Sequence, residues 1–247
     1  MKIDLNCDMG EGCPNDAELM RYVSSVNIAC GFHAGDRDTM RRTIELAIAN
    51  NCAIGAHPGY RDRGNFGRVE TNAGPKETYE IVTEQIGILD SIANEQRGRI
   101  CHVKPHGALY NRSARDSETA AAIAEAVRDF RADLVLFGLS GSRSVAEAER
   151  IGLRTASEVF ADRTYRPDGS LTPRSEPNAL IENANEAVAQ VVSMVDQGHV
   201  IATDGTKVKI QADTVCIHGD GEHALSFALI IHRELAEKGL TIAPVHD

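Results

Sequence analysis

The chain has 247 residues, 42% of them hydrophobic, and a formal net charge of −10. That length suits one barrel-sized unit or two small domains, and the apolar content supports a large core, which sets disorder aside. The acidic balance argues against nucleic-acid or anionic-membrane binding, and no apolar run reaches the roughly eighteen residues of a membrane span.

In chain order, β-type apolar runs fall at residues 2–7, 25–31, 52–57, 100–104, 133–139, 153–160 and 214–218. Helical patterns lie between them. Asp36 is placed to cap a helix carrying Met40, Ile44, Ala47 and Ile48 at helical spacing. Pro75 opens a second, with Tyr79, Val82, Ile86, Leu89 and Ala93 on one face and Gly98 beyond its end. Ser117 precedes a third, and Ser144 a short fourth that stops at Gly152. Residues 179–197 and 222–238 read as the last two. Residues 162–178 read as a long loop. Asp204-Gly205 marks a hairpin over residues 199–210, an insertion in an otherwise single α/β domain spanning 1–247.

Alternating strands and helices imply a parallel sheet. Several strands carry polar residues on one alternate face: Asp4, Asn6 and Asp8; Asn27 and His33; His102, Lys104 and His106; Cys216, His218 and Asp220. An open parallel sheet is apolar on both faces, so this pattern favours a parallel (β/α)7-type barrel, one strand short of the eightfold form. The opening strand-like segment reads as mature chain rather than leader, and the six cysteines show no C-x-x-C pair. A cytoplasmic location with reduced, mostly buried thiols is expected.

His33, His57, His106 and His218 each follow a strand beside glycine or proline. A barrel gathers such strand ends at one mouth. Asp8, Glu11, Asp36, Asp162 and Asp220 occupy the same class of position, and Lys104, Arg163, Arg61, Arg63 and Arg68 supply cations to balance them. The candidate catalytic residues are Asp8, His57, Lys104, His106, Asp162 and His218. The candidate substrate-binding residues are Asn6, Glu11, His33, Arg68, Arg163 and Asp220. Two chemistries fit. A divalent metal on Asp8, His33 and His57 activates water, or the same groups act as general acid and base with a cation stabilising an oxyanion or phosphate. No Walker loop, dinucleotide fingerprint or nucleophile elbow is present, although Gly138-Leu139-Ser140-Gly141-Ser142 can cradle an anion at a helix start.

Six blocks occur in order along the chain: Leu5 to Gly12, Asn27 to Asp36, Ala53 to Pro58, His102 to Asn111, Glu158 to Arg163, and Cys216 to Asp220. In this combination the sequence resembles the LamB/YcsF family of 5-oxoprolinase A subunits. The resemblance implies a barrel related to those of the glycoside hydrolases and polysaccharide deacetylases. It implies hydrolytic opening of 5-oxo-L-proline to L-glutamate, with ATP as cosubstrate and subunits B and C as partners. Two stretches depart from the family pattern. Gly64 to Val69 keeps one arginine, Arg68, where two are usual, and Ser175 to Ala179 replaces a proline-glycine-alanine turn. The competing readings are a stand-alone metal-dependent deacetylase or amidohydrolase and a non-catalytic ligand-binding subunit. Under the 5-oxoprolinase reading, alanine at Asp8, His33, Lys104 or His218 is expected to abolish turnover with little loss of folding.

Overall fold

The computed structural model describes residues 2–219 and 224–245. The strands are β1 (Lys2–Met9), β2 (Ser25–Ala29), β3 (Ala53–His57), β4 (Ile100–Val103), β5 (Val135–Leu139), β6 (Arg154–Phe160), β7 (His199–Ile201), β8 (Lys207–Lys209), β9 (Thr214–Ile217) and β10 (Thr241–Ile242). From β1 to β6, each strand pairs in parallel with the next. β9 then pairs with β6 on one side and with β1 on the other, which closes a seven-stranded parallel barrel. β10 adds to β1 at Lys2 and Ile3, and β7 and β8 form a separate antiparallel hairpin.

Around the barrel lie α1 (Asp16–Leu19), α2 (Arg37–Ala49), α3 (Pro75–Glu95), α4 (Gly107–Arg115), α5 (Ser117–Phe130), α6 (Arg143–Arg150), α7 (Ala184–Gln197) and α8 (Ala224–Glu237). Asp36 accepts the Thr39 N–H and so starts α2, while Pro75 takes the first turn of α3, where no backbone donor is needed. No helix among the described residues is long and apolar enough to cross a membrane.

The barrel shape follows from which residues each strand turns inward. On β1, Ile3, Leu5, Cys7 and Met9 join the apolar layer with the helices. Asp4, Asn6 and Asp8 alternate with them and point into the lumen. Asn6 hydrogen-bonds Asn27 on β2, Glu158 on β6 and Thr214 on β9, and Lys104, just after β4, reaches the same side chain across the lumen.

The structure differs from the sequence pattern at several helix boundaries. α4 has no helical signal at its start, because Lys104-Pro105-His106-Gly107 carries the marks of a turn. Its Ala108, Leu109, Tyr110 and Ser113 nonetheless form a buried face. α5 is capped by Asp116, one residue before the expected signal, since its carboxylate reaches the Thr119 N–H. α7 begins at Ala184, not 179. Leu180 bridges to Arg163 as extended chain, and the Asn183 side chain then accepts the N–H groups of Asn185 and Glu186. The four-residue α1 is too short to leave a periodic signal.

Asp4 tests the polar interior. Its carboxyl is fully enclosed, and burial pushes it up to about 6 against the opposing hydroxyls of Ser24, Ser25 and Thr214. The folded chain therefore holds Asp4 neutral where the unfolded chain ionises it. The stability this contributes is complete below the ordinary value of 3.8 and is lost as pH rises through about 6. Between about pH 4 and about pH 7, the unfolding free energy of Asp4→Asn should gain on that of the parent chain by roughly 2 kcal/mol. A difference independent of pH would show that Asp4 titrates like an exposed carboxyl.

Candidate active site

The floor of the site is a closed network in the lumen. Lys104 follows β4 and is 2% exposed. Its Nζ lies 2.8 Å from Asp8 Oδ1, 2.9 Å from Glu158 Oε1, 3.2 Å from Asn6 Oδ1 and 3.1 Å from Cys216 Sγ. Asn27 donates to both Asn6 and Asp8, at 2.7 and 2.9 Å. The Asn27 Oδ1 in turn faces His102 Nε2 at 2.8 Å. That ring fits only because position 55 is glycine, since a Cβ there would overlap the imidazole. Burial opposes the charge on Lys104, but Asp8, the Cys216 sulfur and Glu158 hold its pKa well above the usual value. Burial likewise opposes the charge on Asp8, and His57 and Lys104 override it, leaving the carboxyl well below its usual range.

Beside this floor, three imidazoles and a carboxylate converge. His57 ends β3, and His106 stands immediately before α4. His57 Nδ1 donates to the Lys104 carbonyl at 2.7 Å, and His106 Nε2 donates to the Phe66 carbonyl at 2.9 Å. Their other nitrogens face each other at 3.0 Å. Glu11 Oε1 lies 2.9 Å from His33 Nε2, 3.1 Å from His106 Nδ1 and 3.6 Å from His57 Nε2. The His33 and His106 rings stack at 3.8 Å. Gly67, at φ +63, lets the loop after β3 approach them, for a Cβ there would come within 2.8 Å of the His33 side chain. Burial lowers His33 to about 4 despite its Glu11 partner, so its ring is neutral.

On the far wall, His218 Nδ1 is paired with Asp162 at 2.8 Å. Burial opposes the charge on Asp162, but the His218 charge and hydrogen bond, together with Arg174 and Arg163, hold its carboxyl below the usual value. The cavity above is about 730 Å³, with Asp8, His57, Lys104, His106 and His218 in its wall. Its rim carries Arg68, Arg115, Arg163, Arg166 and Arg174, and Ser140 to Ser142 before α6 line one side. Arg163 gives its own guanidinium to the carbonyls of Thr172 and Ala179, and burial lowers its pKa to about 10.

The structure thus brings Asp8, His57, Lys104, His106, Arg68, Arg163 and His218 to one cavity, with Asp162 behind His218 and Asn6 in the floor. Glu11 and His33 face a smaller neighbouring depression. Asp8 does not share a compact ligand group with His33 and His57. The atoms grouped with those two belong to Glu11 and His106. Asp36 caps α2, and Asp220 lies outside the described residues. Arg61 covers the Phe32 ring and pairs with Glu84, while Arg63 bonds the carbonyls of Gly31 and Gly35, so neither enters the cavity. Lys104 is embedded in the fold, so its loss is expected to cost stability as well as activity. The sequence reading missed Glu158, Asn27, His102 and Phe66 as parts of the site. Glu158, between Ser157 and Val159 on β6, opens one of the six sequence blocks but was given no role there.

Residues 3–247 match the LamB/YcsF family. The chain is 54% identical over 245 residues to a Shouchella clausii protein that bears the name of the A subunit of 5-oxoprolinase, covering 97% of each chain. It superposes on the crystal structure of a lactam utilization protein from Thermus thermophilus with a TM-score of 0.92 and 41% identity, covering 98% of this chain and 99% of that one. A family 4 carbohydrate esterase from Streptomyces lividans shares the fold alone, with a TM-score of 0.51 and 13% identity over 98% of this chain and 91% of that one.

Removing Lys104 leaves two buried carboxylates without their cation. Lys104→Met should lower the unfolding free energy by about 3–5 kcal/mol in urea titrations, and adding Glu158→Gln should recover a large part of that loss. A single-variant loss below about 1 kcal/mol would mean that Lys104 does not compensate these charges.

Proposed function

The chain belongs to the LamB/YcsF family, and on that premise we propose that it is the A subunit of an ATP-dependent 5-oxoprolinase, a hydrolase of a cyclic amide. The observation that carries this reading is the 54% identity, across nearly the whole of both chains, to a protein of that name. Such a name implies a multi-subunit enzyme, and subunits B and C are the partners this reading supplies. Six free thiols, most of them buried, suit work in the reducing cytoplasm.

The reaction opens an amide bond that resonance protects. Phosphorylation of the lactam oxygen by ATP makes the ring carbon attackable by water and turns that oxygen into part of a leaving phosphate. One water then contributes OH to the carbon and a proton to the nitrogen as the C–N bond breaks, leaving an acyl phosphate, and a second water replaces the phosphate at that carbon to give the free carboxylate. In this reading His218 delivers that proton. Asp162 holds its Nδ1, fixes the ring's orientation and stabilises the imidazolium, while the ring itself borders the cavity. The arginine rim attracts the substrate carboxylate and the phosphate. Asp8 is neutralised by Lys104 and therefore orients groups rather than taking a proton.

The test is glutamate and phosphate release from 5-oxo-L-proline and ATP, with this chain alone and with subunits B and C. Turnover is expected in the complete mixture, and His218→Ala should lower its kcat by about 10²–10⁴ with folding retained. Folded chain that supports no glutamate release in any mixture would sink the assignment. Full activity in His218→Ala would remove the proton-transfer role alone.

A further inference from the structure

We propose that Glu11, His33, His57 and His106 form a binding site for one divalent transition-metal ion of the zinc type, with Asp8 outside its ligand set. The argument is geometric and does not rest on the 5-oxoprolinase reading. One ligand atom from each of these four residues lies within 4.8 Å of all the others. A tetrahedral ion with bonds of about 2.0–2.1 Å needs ligand atoms roughly 3.3 Å apart. Four of the separations here are 2.9, 3.0, 3.1 and 3.6 Å, on both sides of that value.

The ring orientations add an independent reason. The Lys104 carbonyl fixes the proton of His57 on Nδ1, and the Phe66 carbonyl fixes that of His106 on Nε2. When the rings are neutral, each bond leaves the opposite nitrogen with its lone pair directed at the same point, where the Glu11 carboxylate also arrives. Lone pairs and a carboxylate converging in a buried space repel one another unless a cation sits among them. Backbone carbonyls that set the tautomer of metal-binding histidines are the usual outer support of such sites. Imidazoles with one carboxylate suit zinc and its neighbours in the first transition row, and are too nitrogen-rich for calcium or magnesium.

Asp8 is the informative exclusion. Its Oδ2 stands 3.4 Å from His57 Nε2, but its Oδ1 is held by the Lys104 ammonium and by Asn27. An ion placed there would sit against that positive charge. Glu11 is instead paired with His33 and His106. His57 and His106 border the main cavity, which gives an ion in the group access to a water there.

The experiment uses cobalt(II) as the probe. The full-length chain, stripped by chelator and checked for folding by circular dichroism, is titrated with cobalt(II) and then with zinc(II). One equivalent should bind, giving the intense visible bands of a tetrahedral nitrogen–oxygen site, and zinc should displace it. Glu11→Gln and His106→Gln should each weaken cobalt binding at least about 10–100-fold, the scale seen when even the outer support of such a site is lost. Asp8→Asn should keep both stoichiometry and bands. Folded parent chain that binds no cobalt overturns the proposal, and a proton then occupies the space between His57 and His106. Bands lost in Asp8→Asn but kept in Glu11→Gln overturn the ligand set. Every readout is independent of turnover, so failure here leaves the 5-oxoprolinase assay to be judged separately.

Discussion

One ammonium group organises the centre of this protein. Lys104 lies in the barrel lumen between Asp8 and Glu158, and without it those carboxylates would have to be neutral or hydrated. Burying an ion pair is stabilising only when its remaining hydrogen-bonding capacity is met. Here Asn6 and Asn27 meet much of it, and they do so from different strands. The polar lumen and the closed sheet therefore depend on each other. Closure brings the partners together, and the partnered charges make a closed polar interior tolerable.

This dependence explains what could be read in the sequence. Inward-facing Asp4, Asn6 and Asp8 on one strand made an open sheet implausible, and the alternation extended to the strands carrying Asn27, His102 and Thr214. The strand ends holding His57, Lys104, Asp162 and His218 were visible for the same reason, because topology alone sends them to one mouth. What stayed hidden was the pairing. No local pattern says that Lys104 answers Glu158, which is 54 positions away, or that Asp8 belongs with Lys104 rather than with His33. Both facts depend on lumen register and on which side of a ring a backbone carbonyl happens to lie. α4 was hidden for a different reason, since the proline and glycine at its start carry the same signature as a turn.

The site divides along this line. One half sets a single ammonium, Lys104, between two acids, Asp8 and Glu158. In the other half, Phe66 and Lys104 use their main-chain carbonyls to aim two imidazoles inward. The first half is rigid because removing any member exposes a charge. The second is rigid because its orientation is set by backbone. The Asp162–His218 pair adjoins the first half, with His218 close to Asp8 and Cys216, and the His218 ring borders the open cavity, where a group that must gain and lose protons has room to work.

The network also sets a timetable for synthesis. Asn6 finds its Thr214 partner across a separation of 208 residues, and Asp4 finds the same threonine across 210. A chain leaving the ribosome N-terminus first carries its earliest strand, with three acidic or amide side chains on its inner face, until almost the last strand has emerged. Contacts so distant in sequence form slowly, because a very large loop must close before they repay its ordering. The residues that later hold the site together are thus exposed longest in the newborn chain. In that interval their polarity serves a second purpose, since a first strand apolar on both faces would be an adhesive edge waiting for a partner.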